Sequence, residues 1–225
     1  MNPSAANLLN FSIEKAHKSQ LQLAKKIIFE DRLPEKICCV AGVDVAYVKN
    51  LSIGAVAVLD YDKLSLIEAQ TAISRTTMPY LPTLLSFREL PPVLMCIKKL
   101  KKQPDLFLVD GQGFAHPYRC GFASHLGVVL DKPTIGVAKS KLVGEIEYSA
   151  KKDFAYLKHN GEIIGAMVKT IPESKPVFVS VGHMVSLETA IKIVKHCTQF
   201  SRIPQPIKKA HQLAAAAKRR IQTLH

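Results

Sequence analysis

The feature that most constrains the fold of this 225-residue chain is an almost wholly apolar run at residues 37–48. Valine is its commonest residue, and such a run is typical of a central strand with both faces of the sheet covered. Its one charged residue is Asp44. Because an ionised carboxylate in a buried strand is costly unless a cation or donors pair with it, Asp44 is the first candidate functional residue.

The segments around this strand predict an α/β domain with a mixed β-sheet. Further strands are expected at 53–60 and 64–75, forming a meander with the first, and at 105–110, 134–138 and two or three places within 153–181, with Asn160-Gly161 as a hairpin turn. Helices are expected at 8–30, 87–102, 117–130, from the cap residue Ser186 to Phe200, and after Pro204 and Pro206 to about Leu224.

Length and composition fit one domain spanning residues 1–225, with residues 218–225 as a candidate flexible tail. No apolar run reaches the length of a membrane-spanning helix, and the N-terminus lacks the basic region of a secretory signal. We therefore expect a cytoplasmic protein with no membrane partner, and the lack of a long heptad pattern favours a monomer. The five cysteines include no C-x-x-C pair, which favours reduced, mostly buried thiols.

The net charge of +13 favours a polyanionic partner, because each phosphate contact releases counterions. Glu188 is the last acidic residue. The cations beyond it are Lys192, Lys195, Arg202, Lys208, Lys209, Lys218, Arg219 and Arg220. An ordinary helix surface would carry balancing acids, so we interpret this tail as a contact for a nucleic-acid backbone. A second basic cluster, with a solvated surface as the alternative reading, contains Lys98, Lys99, Lys101 and Lys102.

A second carboxylate lies where ligands bind in open α/β sheets. Asp110 ends the apolar strand 105–110, and with Asp44 on a neighbouring strand it would form an oxygen site suited to Mg²⁺. The alternative is two structural aspartates, one of which caps a turn. Glu89 is ambiguous, because its spacing from Ser86 matches a capping box in which Glu89 bonds to the Ser86 amide.

Other polar residues are individually weak signals. Gly111 and Gly113 permit close approach of the backbone to a ligand, but an ordinary turn has the same pattern. His116 precedes Pro117 at the expected start of a helix, where free amides attract anions. Lys139 ends a strand and His211 lies in the last helix, where most such residues are surface or packing residues.

Four blocks of the sequence, in order, resemble the endonuclease V family. They are AGVDVAY at 41–47, PYLPTLLSFREL at 79–90, DLFLVDGQGFAHPYRCGFASHLGVVLDKPTIGVAKSKLVG at 105–144 and RIPQPIKKAHQLA at 202–214. The resemblance covers roughly residues 10–220, and chance agreement of all four blocks is negligible. It implies an RNase H-like fold, in which a mixed β-sheet is flanked by α-helices.

The resemblance also implies roles for particular residues. Asp44, Glu89 and Asp110 would be metal-binding carboxylates that hold Mg²⁺, for which Mn²⁺ would substitute, and the capping role of Glu89 could coexist with this one. Lys139 and His211 would lie near the scissile phosphate.

The same resemblance implies a substrate site. Pro79, Tyr80, Leu81 and Pro82 would form a wedge that separates the strands, with Tyr80 stacking where a base is displaced. The remaining substrate-binding positions are Leu85, Gly111, Gly113, Gly121 and Leu142, whose backbone would read hypoxanthine, and His116 beside the metal.

The implied function is that of a Mg²⁺-dependent endonuclease in DNA repair. It would recognise deoxyinosine in DNA and hydrolyse the phosphodiester bond one nucleotide 3′ of the lesion, leaving 3′-hydroxyl and 5′-phosphate ends. The alternatives are an endoribonuclease specific for inosine in RNA, a non-catalytic inosine-binding module, and a basic structural protein that coats nucleic acid. The presence of all three carboxylates argues against the last two.

Three departures from the family pattern bear on substrate breadth and affinity. Thr83 stands where the family commonly has Gly, and Tyr118 stands where it usually has Arg. Lys208 stands in place of an Arg, which keeps the charge but loses bidentate geometry.

Overall fold

The protein's structure, a computed structural model, describes residues 12–76, 78–148, 153–199 and 201–223. The α-helices in these residues are α1 (Ile13–Ala24), α2 (Leu85–Lys99), α3 (Phe122–Leu130), α4 (Leu187–His196) and α5 (Gln205–Thr223). The strands are β1 (Cys39–Val48), β2 (Leu51–Asp60), β3 (Leu66–Arg75), β4 (Leu106–Asp110), β5 (Thr134–Ala138), β6 (Glu145–Tyr148), β7 (Phe154–His159), β8 (Glu162–Val168) and β9 (Val177–His183).

The strands of the described residues form one mixed sheet, in the order β3-β2-β1-β4-β5-β9-β8-β7-β6. The pairs β1–β4 and β4–β5 are parallel, whereas the remaining pairs are antiparallel. The meander expected from the first three strands is confirmed as β1, β2 and β3. The expected turn between β7 and β8 is confirmed too, since Asn160 and Gly161 both have the positive φ of a tight hairpin.

Helices cover both faces of β1. Successive side chains of the strand point to opposite faces and pack into two apolar layers. Val40 packs into a layer that contains residues of α4 and α5. Ala41 and Val43 pack into the opposite layer, which contains residues of α2 and α3. The expected α/β class, a mixed sheet flanked by helices, is confirmed.

Helix α5 approaches β1 closely at Gly42. A Cβ placed on Gly42 would lie 2.0 Å from the carbonyl carbon of Pro206 and 2.5 Å from the backbone nitrogen of Ile207. Because glycine has no side chain, the first turn of α5 can pack directly on the middle of β1. This contact sets the distance between the helix and the sheet.

Helix α3 begins later than the expected 117–130, at Phe122. Arg119 has a φ of 55°, and its guanidinium bonds to Glu162 and to the carbonyl of His116. These contacts hold the chain before Gly121 outside the helix. His116 and Pro117 therefore do not open α3, and the expectation that they would was wrong.

Two other helices differ from their expected bounds. Within the described residues α1 spans Ile13–Ala24 rather than 8–30, of which 8–11 lie outside the described residues. The chain after α1 instead bonds to the end of β9. The amide of Ile28 donates to Nδ1 of His183, and the carbonyl of Ile28 accepts from the amide of Met184. The helix predicted from Ser186 to Phe200 is capped by Ser186, as predicted, but ends at His196; Phe200 lies outside the described residues.

The alternative reading of Ser86 and Glu89 as a capping box is wrong. Helix α2 begins at Leu85 with Leu84 as its N-cap, two residues earlier than the box requires, and it ends at Lys99 rather than 102. The Ser86 hydroxyl instead lies 3.0 Å from Nδ1 of His125, a buried side chain on α3. Glu89 is thereby left without a capping partner.

Three strands lie within 153–183, as expected, while the short strand β6 was not anticipated. The five cysteines are free thiols, and all but Cys38 are buried. Helix α5 runs to Thr223, and Leu224 lies outside the described residues. None of the helices within the described ranges is both long and apolar enough to cross a bilayer.

Candidate active site

Asp44 and Asp110 are brought together by the parallel pairing of β1 and β4. Val43 is aligned with Val109 across these strands, and the two aspartates follow them at equivalent positions. Asp44 is largely buried, with 9% of its surface exposed, and its Oδ1 accepts a hydrogen bond from the amide of Val45 at 2.8 Å. The pair thus forms a concentration of negative charge in the middle of the sheet.

His211 completes a cluster with these aspartates. Its Nδ1 lies 2.7 Å from Oδ2 of Asp44, although the two residues are 167 positions apart. One ligand atom from each of Asp44, Asp110 and His211 falls within 4.8 Å of the others. The close packing of α5 on Gly42 places His211 here, because its ring projects from the second turn of that helix.

Glu89, on α2, lies near enough to Asp44 and Asp110 for their charges to act on it, but it is not in the group whose ligand atoms all lie within 4.8 Å of one another. It is buried, and its Oε1 accepts a hydrogen bond from the Tyr47 hydroxyl at 3.2 Å. Its Oε2 is buried without a hydrogen-bond partner among the described residues. The guanidinium of Arg88 lies over the Tyr47 ring, 4.1 Å from the centroid. A buried carboxylate oxygen with no donor is costly, so Oε2 of Glu89 is a candidate ligand atom for a cation.

Burial and mutual repulsion raise the pKa values of two of these carboxyls. The pKa of Asp44 is raised first by burial and then by the charge of Asp110, against a lowering by the hydrogen bond from His211. The pKa of Glu89 is raised well above its usual value, first by burial and then by the charge of Asp44. A cation bound among the three carboxylates would relieve both effects.

The ammonium group of Lys139 contacts this cluster directly. Its Nζ donates to Oδ2 of Asp110 at 2.5 Å, from the position that follows β5. Nearly half of the Lys139 side chain is exposed, so its ammonium faces solvent as well as the carboxylate.

A cavity of about 290 Å³ opens beside Asp110 and Lys139. Of the predicted substrate-binding residues, it is lined by Tyr80, Pro82, Leu85, Gly111, His116, Gly121 and Leu142. Tyr80 is 64% exposed at its rim. His116 is buried in the wall, and burial lowers its pKa to about 4, which keeps the ring neutral near pH 7.

Three predicted residues do not line this cavity. Pro79 is exposed, and Leu81 packs against a small cluster that contains Met78 and Leu84. Gly113 lies behind the cavity, where its amide donates to the Ser180 hydroxyl at 2.9 Å. A Cβ on Gly113 would lie 2.2 Å from the carbonyl oxygen of Val181, so this glycine permits close packing.

Two glutamines in the cavity wall were missed by the sequence reasoning. Gln20 of α1 is fully buried, and its amide nitrogen donates to the carbonyls of Thr83 and Cys120. The amide nitrogen of Gln112 donates to the carbonyl of Ser140. These carbonyls fix both amide orientations, and each Oε1 is buried without a partner among the described residues. Only the position of Gln112 between two glycines could have drawn attention to it.

Two of the departures noted in the sequence lie together. Nε2 of His17 is 3.1 Å from the Thr83 hydroxyl, and the His17 ring stacks on Tyr118 with 3.9 Å between centroids. This trio joins α1 to the loop that carries Tyr80. The third departure, Lys208, lies one helical turn before His211 on α5.

Comparisons with known proteins agree with this architecture. The family profile described as Endonuclease V matches residues 21–212. Endonuclease V of Thermofilum pendens is 47% identical over 208 residues, which covers 92% of this chain and 89% of that protein.

Two solved structures extend the likeness to the fold. Endonuclease V of Streptomyces avermitilis superposes with a TM-score of 0.87 at 36% identity, covering 94% of this chain and 95% of that one. Ciona intestinalis endonuclease V, in complex with a 24mer DNA containing an inosine followed by a ribo-adenosine, gives a TM-score of 0.84 at 35% identity. That match covers 93% of this chain and 98% of the other. The fold is RNase H-like, as the resemblance implied, and the chain belongs to the endonuclease V family of nucleases.

Proposed function

We propose that this protein is a Mg²⁺-dependent endonuclease that cuts DNA one nucleotide 3′ of deoxyinosine, leaving 3′-hydroxyl and 5′-phosphate ends. The observation that carries the proposal is the convergence of Asp44, Asp110 and His211 beside a cavity lined by Tyr80 and Lys139. The active unit in this proposal is a monomer with a single domain.

The donor set fits a hard divalent cation. Asp44, Asp110 and Glu89 supply carboxylate oxygens, which suit Mg²⁺ and Mn²⁺ better than softer metals. The partnerless Oε2 of Glu89 and the raised pKa values of Glu89 and Asp44 are the features that such a cation would satisfy. When bound there, the cation would act as a Lewis acid and lower the pKa of coordinated water.

The protein's own side chains prepare the reacting phosphate. His211 holds the Asp44 carboxylate in one orientation and, with 61% of its side chain exposed, can orient an attacking water. Lys139 has its ammonium beside Asp110 and faces solvent, so it can offset the charge that develops on the phosphate oxygens. Tyr47 holds one oxygen of Glu89, leaving the other free to bind.

The cavity supports recognition of a base that has left the stack. Gly111 and Gly121 bring backbone to its wall, and Tyr80 at the rim offers an aromatic face to the remaining stack. The complex of the Ciona protein with DNA that contains inosine supports this class of ligand for the related chain.

A cleavage assay tests the proposal. Matched duplexes, one with a single inosine and one with adenine, are incubated with the protein in Mg²⁺ or in EDTA. We expect nicking of the inosine strand only with Mg²⁺, one nucleotide 3′ of the inosine, with a nick that DNA ligase can reseal. Equal cutting of both duplexes, or cutting in EDTA, would contradict the proposal.

A second candidate function is cleavage of inosine-containing RNA. It is favoured by the ribo-adenosine that follows inosine in the DNA bound to the Ciona protein. Strands that differ only by a ribose or a deoxyribose after the inosine distinguish the two functions. Faster cutting of the strand with ribose would make the endoribonuclease reading the better one.

A further inference from the structure

A second groove lies where β1 ends, next to the C-terminal half of α5. Its volume is about 530 Å³, and Tyr47, Val48, Lys49, Lys218 and Gln222 line it. We call it the α5 groove. Tyr47 connects it to the cluster, because the hydroxyl of this wall residue donates to Glu89.

One flank of helix α5 carries polar residues both beside the carboxylate cluster and in this groove, with Ala214 and Ala215 between them. Lys208, His211, Lys218 and Gln222 are spaced by three, seven and four residues, so they share one flank of the helix. With a rise of about 1.5 Å per residue, Lys218 lies about 10 Å along the helix from His211. This flank of α5 therefore links the carboxylate cluster to the groove.

The α5 groove is positively charged. Within the described parts of the chain, neither Lys49 nor Lys218 forms an ion pair with a carboxylate. Lys49 is exposed and Lys218 half-buried. Two ammonium groups without a carboxylate partner in one concavity can bind the phosphates of a polynucleotide. Binding is favoured because the nucleic acid releases its counterions when lysines neutralise the phosphates.

The order of strands indicates which part of a bound nucleic-acid strand would lie in the groove. The cavity is walled by residues that follow β5 and β4, the cluster lies on β4 and β1, and the groove lies at the far end of β1. A strand whose inosine occupies the cavity and whose scissile phosphate lies at the cluster would continue toward the groove. Because the proposed cut is 3′ of inosine, the continuing part is the 3′ side.

We propose that the α5 groove binds the backbone phosphates on the 3′ side of the cut, through Lys49 and Lys218. The direction rests on the proposed function, which sets the cut 3′ of the lesion. The charge and position of the groove do not depend on it.

The test uses inosine strands with a long 3′ arm or with an arm that ends one nucleotide beyond the cut. The variant carries Lys49→Asn and Lys218→Gln; asparagine suits the φ of 51° at position 49. Wild type is expected to bind the long arm on the order of ten-fold more tightly in EDTA, and the variant to lose this difference. The slope of log affinity against log salt should fall by about 1.4–1.8 for two lost phosphate contacts.

A matched control carries Lys209→Gln and Arg220→Gln. Both belong to the basic tail that the sequence suggests as a backbone contact, but they lie about 160° and 180° around the helix axis from His211 and do not line the α5 groove. Removing them changes the net charge equally, so the control separates loss of the groove from a general loss of charge. The affinity of the control should still depend on the length of the 3′ arm. In cleavage assays, the groove variant should have a higher KM and an unchanged kcat.

Two outcomes separate this proposal from the one it rests on. If wild type prefers inosine to adenine but its affinity is unaffected by the 3′ arm, or depends on the 5′ arm instead, the groove proposal is overturned. If wild type binds inosine and adenine strands equally, the proposed function fails. Loss of arm dependence in the groove variant alone would support the proposal.

Discussion

Replacing Asp110 with asparagine is expected to lower the rate of inosine-directed nicking by at least about 10³-fold, which corresponds to about 4 kcal/mol of transition-state stabilisation. Asparagine keeps the size of the side chain and an oxygen that Lys139 can bond. It lacks the charge that a divalent cation needs beside Asp44. The rate is measured by single-turnover cleavage of an inosine duplex in Mg²⁺.

A loss of folding would not explain this result. The ion pair of Asp110 with Lys139 is partly exposed and contributes little to stability, so the melting temperature should barely change. Asp131→Asn is the matched control, because this exposed aspartate also loses one charge and its φ of 53° suits asparagine. Nicking by Asp110→Asn at the rate of this control would remove Asp110 from the proposed metal site.

Gly42→Ala is expected to have the largest effect on stability. Its Cβ would lie 2.0 Å from the backbone of Pro206, and a helix backbone cannot yield as a flexible side chain can. We expect a loss of about 3 kcal/mol or more in the free energy of unfolding, or a melting temperature lower by roughly 6–12 °C. Displacement of α5 would also move His211 away from Asp44. Activity should therefore be reduced even at temperatures at which the variant is still folded.

Gly161→Ala is the comparison for this experiment. Gly161 has a φ of 78° but nothing within 4 Å of the Cβ that alanine would add, so the substitution brings backbone strain without a clash. A left-handed backbone costs an L-residue such as alanine about 1–2 kcal/mol. Thermal melts of both variants should rank Gly42→Ala as clearly the less stable. Equal melting temperatures would show that α5 can lift from β1 at little cost.

The strands could be predicted from the sequence because their signals are local. The apolar run 37–48 predicted the central strand β1, and the Asn160-Gly161 pair predicted the β7–β8 hairpin. Residue periodicity and turn chemistry act over a few positions, and the sheet preserves them. Strand β6 is mostly exposed and has no apolar run, so it gave no such signal.

The errors arose where distant contacts determine local structure. The start of α3 depends on Arg119, whose partner Glu162 is 43 residues away. The spacing of Ser86 and Glu89 matched a capping box, yet Ser86 bonds to His125 and Glu89 to Tyr47. Tertiary partners displaced the local interaction in both cases.

The candidate site was only partly readable from residue patterns. Asp44 and Asp110 stood out because charge in or at the end of an apolar strand is unusual. The prominence of Glu89 and His211 came from the family resemblance, since no local pattern links His211 to a residue 167 positions away. Gln20 gave no signal, because its place in the cavity depends on the carbonyls of Thr83 and Cys120, which are far from it in the sequence.

Whether the three carboxylates hold a divalent cation can be measured by anomalous X-ray scattering from crystals soaked in Mn²⁺. We expect a manganese peak bonded to carboxylate oxygens of Asp44, Asp110 and Glu89, and its loss in Asp44→Asn crystals. A well-ordered site without manganese, or with manganese held elsewhere on the protein, would contradict this expectation.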